Sequence, residues 1–430
     1  MGVRASIVLA GVVAASCAAS TAQAAGFYLQ EQSARGVGRA FSGEAADTGP
    51  ESLWWNPAAI GGSAERSAYV GVSGIIPSGD VSDTGTIIVR PGQAPASVGG
   101  EPVAHGPLRS GVLPSGALAI PVGGHVDLGL ALTAPFDFTT EYDAQSWSRY
   151  AALRTRLRTY DLQPSIAFAP TPFLRLGVAL NAEYSDATLG NALPNLSPLL
   201  PDGSQTLTGH GWDFGWSAGV QLHSDSVTVG LSYKSSIDHT LSGQVAVAGL
   251  LGPLAANNLN LATQASFRTP WQLIVGARLR ATPRLTLDVQ AVRAGWSRFD
   301  AIRLGAPFNT ALPEGYRDTW SFAGGADYAL SPQWTLRGGV QYDETPTQDG
   351  LRDARVPDSN RVNLALGADF HASHAFTLEA GASYVLFDDA SIDRPTAAYV
   401  GTPAQTPVLT SGKLTGAHAV VLSVGGRFSF

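Results

Sequence analysis

Alternation of apolar and polar residues, repeated along most of the chain, constrains this sequence more than any other feature. Trp334, Leu336, Val340 and Tyr342 alternate with Thr335, Arg337, Gln341 and Asp343, and Val362, Leu364, Leu366, Ala368 and Phe370 with Arg361, Asn363, Ala365, Gly367 and Asp369. A period of two over ten or more residues makes strands with one apolar and one polar face. Such runs fall near 66–77, 111–122, 125–138, 149–169, 173–189, 211–223, 226–243, 264–281, 284–298, 319–330, 333–344, 360–371, 374–387 and 416–430, fourteen in all. Short turns such as Gly123-Gly124, Thr282-Pro283 and Ala372-Ser373 alternate with long connections near 78–110, 190–210, 244–263, 299–317 and 388–415. An even number of long antiparallel strands, with short turns at one end and long loops at the other, is the pattern of an outer-membrane barrel. The apolar faces then meet lipid, and closure leaves no sheet edge unpaired in hydrocarbon.

Composition removes the alternatives. Charged residues make up 14% of the chain, against about 25% in soluble globular proteins. The 49 Gly and 27 Pro exclude a helical bundle, and the net charge of -7 argues against a nucleic-acid partner. Arg4 followed by the apolar run Ala5 to Ala15 and the small-residue site Ala22-Gln23-Ala24 reads as a signal peptide over residues 1–24. Met1 and Cys17 are the sole Met and Cys. A mature chain starting at Ala25 would therefore hold no disulfide, thiolate metal site or Cys nucleophile.

Residues 25–65 break the alternation. Small residues at 33, 34, 36, 38, 40, 42 and 43 suit a segment packed inside something larger. About forty residues is too few for a core of its own, so a plug of short helices is expected here, with the barrel over 66–430. Three stretches then carry a family resemblance: Ala25-Gly26-Phe27, Glu31-Gln32-Ser33-Ala34-Arg35-Gly36-Val37-Gly38-Arg39-Ala40-Phe41-Ser42-Gly43-Glu44, and Trp55-Asn56-Pro57-Ala58-Ala59. They resemble the hatch of the FadL-type outer-membrane long-chain fatty-acid transporters, a family that also includes TodX-type channels for aromatic hydrocarbons. Further stretches match in order, among them Pro135-Phe136 to Tyr142, Phe267-Arg268-Thr269-Pro270-Trp271 and Arg355-Val356-Pro357-Asp358-Ser359-Asn360-Arg361. The resemblance implies a monomeric fourteen-strand barrel closed by an N-terminal hatch. It also implies a long-chain fatty acid or another hydrophobic small molecule as ligand. The last strand, ending at Phe430, resembles the signal read by the barrel-assembly machinery; outer-membrane lipid and lipopolysaccharide would surround the wall.

An apolar ligand gains about 0.8 kcal/mol per buried CH₂, so a greasy path suits it better than a water-filled pore. Leu196, Leu199 and Leu200 in one outer connection, with Leu250, Leu251 and Leu254 in the next, point to an outer capture groove or to loops packed as a lid. Pro135 interrupts the third strand; lacking an N–H, it requires a bulge or break there. The resemblance makes Pro135-Phe136 the kink that opens the wall sideways. Asp137, where relatives commonly carry Gly, makes that opening less apolar. By the same resemblance Phe27 is a tethered stopper in an inner pocket, and Asn56-Pro57-Ala58 is a hatch motif, with Asn56 available to satisfy buried peptide groups. Arg154, Arg156 and Arg158 share one strand face, read as lumenal, where they would meet a carboxylate head group or the plug acids Glu31 and Glu44. No G-x-S-x-G or H-E-x-x-H motif occurs. Neither an enzyme, nor a cofactor, nor a metal site is expected.

Overall fold

The computed structural model describes residues 26–430. The signal peptide expected over 1–24, with Met1, Cys17 and the adjoining Ala25, lies outside the described residues.

Fourteen antiparallel strands close into one barrel. In chain order they are β1 (Ser67–Asp83), β2 (Gly111–Gly123), β3 (Val126–Thr133 and Asp137–Glu141), β4 (Arg154–Thr171), β5 (Leu174–Leu193), β6 (Gly203–His223) and β7 (Val227–Lys234 and Asp238–Ala248). They continue with β8 (Leu259–Arg268 and Trp271–Arg280), β9 (Leu285–Gly295), β10 (Thr319–Ala329), β11 (Trp334–Asp343), β12 (Arg361–Ser373), β13 (Phe376–Phe387) and β14 (Thr406–Ser429). Each pairs with its neighbour, and β14 returns to β1 with Ser67 opposite Ser429. Closure thereby pairs the strand edges, as a hydrocarbon environment demands, except where β2 and β3 part beyond Gly116 and Leu132.

The alternation sorts side chains as the sequence implies. Val70 and Val72, Leu128 and Leu130, Ile166 and Phe168, and Leu422 and Val424 are exposed outward. Near the short turns Trp334 packs on Phe370 and Phe376 on Phe428, with ring centroids 4.8 and 4.9 Å apart, forming part of an interfacial aromatic girdle.

Several strands differ from the expected runs. β6 begins at Gly203 rather than near 211, so most of the connection read over 190–210 is wall. β4 begins at Arg154, after a turn over 149–153. Two runs read as single strands are broken, β7 between Lys234 and Asp238 and β8 at Thr269-Pro270. The run over 284–298 ends in a 3₁₀ turn, Trp296–Arg298, that buries Trp296.

The hatch fills the lumen. A five-residue helix, Ala34–Gly38, is capped by Ser33 Oγ, which accepts from Gly36 N–H at 3.0 Å. Three 3₁₀ turns follow: Glu44–Ala46, Pro50–Ser52 and Pro57–Ile60. Ion pairs lock these pieces to the wall. Arg39, wholly buried, reaches Glu44 at 2.7 Å and Asp47 at 2.6 Å within the hatch and Asp327 of β10 at 3.0 Å. Arg35 holds Glu51 at 2.7 Å, and Glu51 is also held by Arg427 of β14 at 3.1 Å. Arg278 of β8 contacts Asp47, Asp288 and Asp327. Shared partners make a network in which removing one cation weakens the pairing of several buried carboxylates at once.

Candidate ligand-binding pocket

Toward the end of the barrel with the long connections the pattern reverses, and apolar side chains point inward. Leu157 of β4, Leu189 of β5, Leu207 of β6, Leu241 of β7 and Phe267 of β8 line a cavity of about 60 Å³. Phe27 stands in its wall. The Phe27 ring lies 5.9 Å from Phe136, 5.7 Å from Phe138, 4.9 Å from Trp296, 5.1 Å from Phe299 and 6.3 Å from Tyr316, centroid to centroid. Edge-to-face and offset pairs of this kind add to the burial of the ring itself.

The backbone around Phe27 explains its position. Ala134, Pro135 and Phe136 interrupt β3, and its pairing with β4 shifts by one residue, from Thr133↔Asp161 to Asp137↔Arg158. Pairing of β2 with β3 stops at Gly116↔Leu132 and resumes only beyond β2, where Arg109 N–H donates to Thr139 O at 3.0 Å. Between those points the wall has a seam, with Leu113, Ala134 and Phe136 in one apolar cluster. The hatch takes up the freed backbone groups: Leu29 N–H donates to Pro135 O at 2.8 Å and Asp137 N–H to Phe27 O at 3.1 Å. Residues 27–29 thus act as a short extra strand against the kink, with Tyr28 directly opposite Phe136. Gly26 N–H is tied to Asp358 Oδ2 at 2.8 Å.

The cavity has a polar end that sequence reasoning missed. Arg355 and Glu314 both line it. Arg355 Nη2 donates to Asn191 Oδ1 at 3.3 Å, while Nη1 is buried with no hydrogen-bond partner among the described residues. Burial pushes the Glu314 carboxyl up to about 7, against the opposing pull of Arg394 at 3.8 Å. Trp296, Phe299 and Tyr316 were missed as well, because they sit in turns and connections without a period. Arg355 lay in a stretch matched to the family, but its spacing carried no role.

The other residues singled out from sequence separate into groups. Phe27, Pro135 and Phe136 come together at the kink. Asn56, Pro57 and Ala58 do not line the cavity. Asn56 caps a 3₁₀ turn, accepting from Ala58 N–H at 2.9 Å and donating to Ala45 O at 2.8 Å and Val220 O at 3.3 Å. The wall is glycine where this motif presses on it. A Cβ on Gly219 would stand 1.9 Å from Asn56 Oδ1, and one on Gly177 2.3 Å from the Pro57 carbonyl carbon.

The arginine stripe requires a correction. Arg154, Arg156 and Arg158 share the β4 face of the exposed Tyr160 and Leu162, whereas Thr155, Leu157 and Thr159 are the buried, inward set. Arg154 pairs with Glu141 at 3.4 Å, and Arg156 with Asp186 of β5. Glu44 is held instead by Arg35 and Arg39 of the hatch itself. The outer leucines divide too. Leu250 and Leu254 are buried with Leu193, and Leu196 packs against them, while Leu199, Leu200 and Leu251 remain exposed.

Residues 15–430 match the family described as "Outer membrane protein transport protein (OMPP1/FadL/TodX)". The chain is 26% identical over 413 residues to a long-chain fatty acid transport protein of Escherichia coli O6:H1, covering 87% of this chain and 89% of that one. Its fold is similar to the crystal structure of a Pseudomonas aeruginosa FadL homologue, with a TM-score of 0.81 and 23% identity over 94% of this chain and 100% of that one. It is also similar to the Ralstonia pickettii toluene transporter TbuX, with a TM-score of 0.63 and 18% identity over 92% and 98%. A closed fourteen-strand barrel, an internal N-terminal plug and a family match over nearly the whole chain place it in the outer membrane as a transporter rather than an enzyme: the chain belongs to the OMPP1/FadL/TodX family of outer-membrane transport proteins.

Proposed function

We propose that this protein takes up long-chain fatty acids by passive diffusion through the capped pocket. One observation carries the choice of ligand: a half-buried guanidinium, Arg355, whose buried Nη1 has no hydrogen-bond partner among the described residues, beside Glu314 at the polar end of a largely apolar cavity. A carboxylate head group satisfies that donor, while the leucine and phenylalanine walls take the chain at about 0.8 kcal/mol per buried CH₂. The relative from Escherichia coli, by its name a long-chain fatty acid transport protein, supports the same reading. The exposed Leu199, Leu200 and Leu251 offer the first contact at the outer end. Displacement of Phe27 then joins the pocket to the seam between β2 and β3, from which the ligand leaves sideways into lipid. Asn56-Pro57-Ala58 acts by fixing the hatch. The protein works as a monomer, inserted by the barrel-assembly machinery reading the strand that ends at Phe430, its outward face in lipid and lipopolysaccharide.

The second reading, a channel for aromatic hydrocarbons, makes a different demand on Arg355. Toluene has no group to accept from it. Arg355→Met is expected to slow oleate uptake by about tenfold, the effect of losing one hydrogen bond to a charged group, and to leave toluene uptake unchanged. Equal uptake of oleate by wild type and variant contradicts the fatty-acid reading.

Glu314 adds a pH dependence. Its carboxyl, raised to about 7, is neutral below that pH and charged above it, where it repels an anionic head group. Binding of a dodecyl sulfonate, whose own charge does not titrate in this range, is expected to strengthen as pH falls from 8 to 6. Glu314→Gln should remove the pH step and leave binding at its low-pH value.

A further inference from the structure

Below the Phe27 cage lies a second, narrow cavity of about 30 Å³, room for one water-sized group, bounded by Pro135 and Phe136 on the β3 side and by Lys234, Ser235 and Pro270 on the opposite wall. Its chemistry differs from that of the pocket above. Lys234 is 9% exposed, and its ammonium lies 3.3 Å from the centroid of the Trp54 ring. Facing the same space are Asp161 of β4 and Glu183 of β5, which are cross-strand partners. Asn181 Nδ2 donates to Asp161 Oδ2 at 2.6 Å, but Asp161 Oδ1 is buried with no hydrogen-bond partner. Glu183 Oε1 is likewise without a hydrogen bond and stands 3.5 Å from His239 Nε2.

We propose that this cavity is a binding station for the uncharged hydroxyl head of a long-chain amphiphile. Burying carboxylate oxygens without hydrogen bonds beside an ammonium that rests on an aromatic face is costly, and the occupant that relieves it must both donate and accept. A hydroxyl does so: it accepts from Lys234 and donates to Asp161 or Glu183. A free carboxylate would answer Lys234 but stand against two carboxylates, and a hydrocarbon would leave all three groups as they are. The tail has a place as well. Phe136, which bounds this cavity, packs against Phe27 of the pocket above and borders the seam between β2 and β3. The station therefore widens the ligand range from acids to alcohols, with Arg355 serving the first and Lys234 the second. It rests on the transport reading given above.

The test compares uptake of labelled 1-dodecanol and n-dodecane by cells lacking a channel of this family and expressing either the wild type or Lys234→Met. A double variant, Asp161→Asn with Glu183→Gln, preserves side-chain size, and heat-modifiable migration on gels reports that each barrel is folded. Dodecanol uptake is expected to fall about tenfold in both variants, the loss of one charge-assisted hydrogen bond, with dodecane uptake within about twofold of wild type by the same scale. An equal fall for both compounds, or none for dodecanol, overturns the station: the cavity then holds water alone. A wild type that restores oleate uptake but admits no dodecanol overturns the station alone, and one that restores neither overturns the transport reading with it.

Discussion

Oxidising a Tyr28→Cys/Phe136→Cys double variant will stop ligand uptake, and reducing it will restore uptake. The two residues face each other across a short antiparallel bridge, flanked by hydrogen bonds from Leu29 N–H to Pro135 O and from Asp137 N–H to Phe27 O. That makes them a non-hydrogen-bonded pair, with Cα atoms expected about 4.5 Å apart, within the range a disulfide spans. The sole cysteine of the sequence, Cys17, falls in the expected signal peptide, so no competing thiol is anticipated in the mature chain. The staple fixes the N-terminal segment to the kink and keeps Phe27 inside its aromatic cage. Gating by Phe27 requires that segment to move, so uptake in the oxidised state should drop to that of cells without the channel. Single-cysteine variants, which lose the same side chains without the link, control for the substitutions. Undiminished uptake by the oxidised protein would rule out a moving stopper.

The other large effect concerns the lock between hatch and barrel. Arg39→Met removes the cation shared by Glu44, Asp47 and Asp327, and the carboxylates it leaves are buried or nearly so. A buried carboxylate left with no cation costs about 3–5 kcal/mol; here Glu44 keeps Arg35, Asp47 keeps Arg35 and Arg278, and Asp327 keeps Arg278 and Arg337, so that range is an upper bound. The strand ladder involves none of these side chains, so the barrel should remain folded while the hatch loosens. Hydrogen exchange over residues 26–62 should quicken by up to about a hundredfold, the lower end of that range, while exchange in β1 and β14 stays slow. Unchanged protection of the hatch would mean that packing alone holds it.

How much of this was legible in the sequence depends on which rule governed each stretch. Where lipid lies outside and water inside, alternation identifies the strand and its face, and β10 to β13 read directly, whereas β14 begins at Thr406, inside the connection read over 388–415. At the outer end the rule inverts, because the pocket is apolar and the exterior stands above the membrane. Leu157, Leu189, Leu207 and Leu241 point inward there, and Arg154, Arg156 and Arg158 lie on the other strand face, although Arg156 still borders the cavity. Alternation alone cannot tell which face is the lumen, so the arginines were set on the wrong side. The start of β6, with Leu207 inward and His210 outward, passed for loop for the same reason. Pro135 was legible because proline always leaves a ladder bond unmade. Trp296, Phe299 and Tyr316 were not, since aromatic residues in irregular segments meet only through the fold. Asn56 was readable as a group that satisfies buried peptides, and its contacts with Ala45, Ala58 and Val220 fit that reading. The glycines opposite it, Gly177 and Gly219, carry no meaning until the hatch is seen pressed on the wall.

Uptake of labelled oleate by cells that lack their own outer-membrane fatty-acid channel but retain the inner-membrane activation step tests the central claim most directly. Expression of this protein is predicted to restore uptake, and the oxidised Tyr28→Cys/Phe136→Cys variant to abolish it again. A folded barrel in the outer membrane that leaves oleate uptake at the level of the channel-deficient cells would contradict fatty-acid transport.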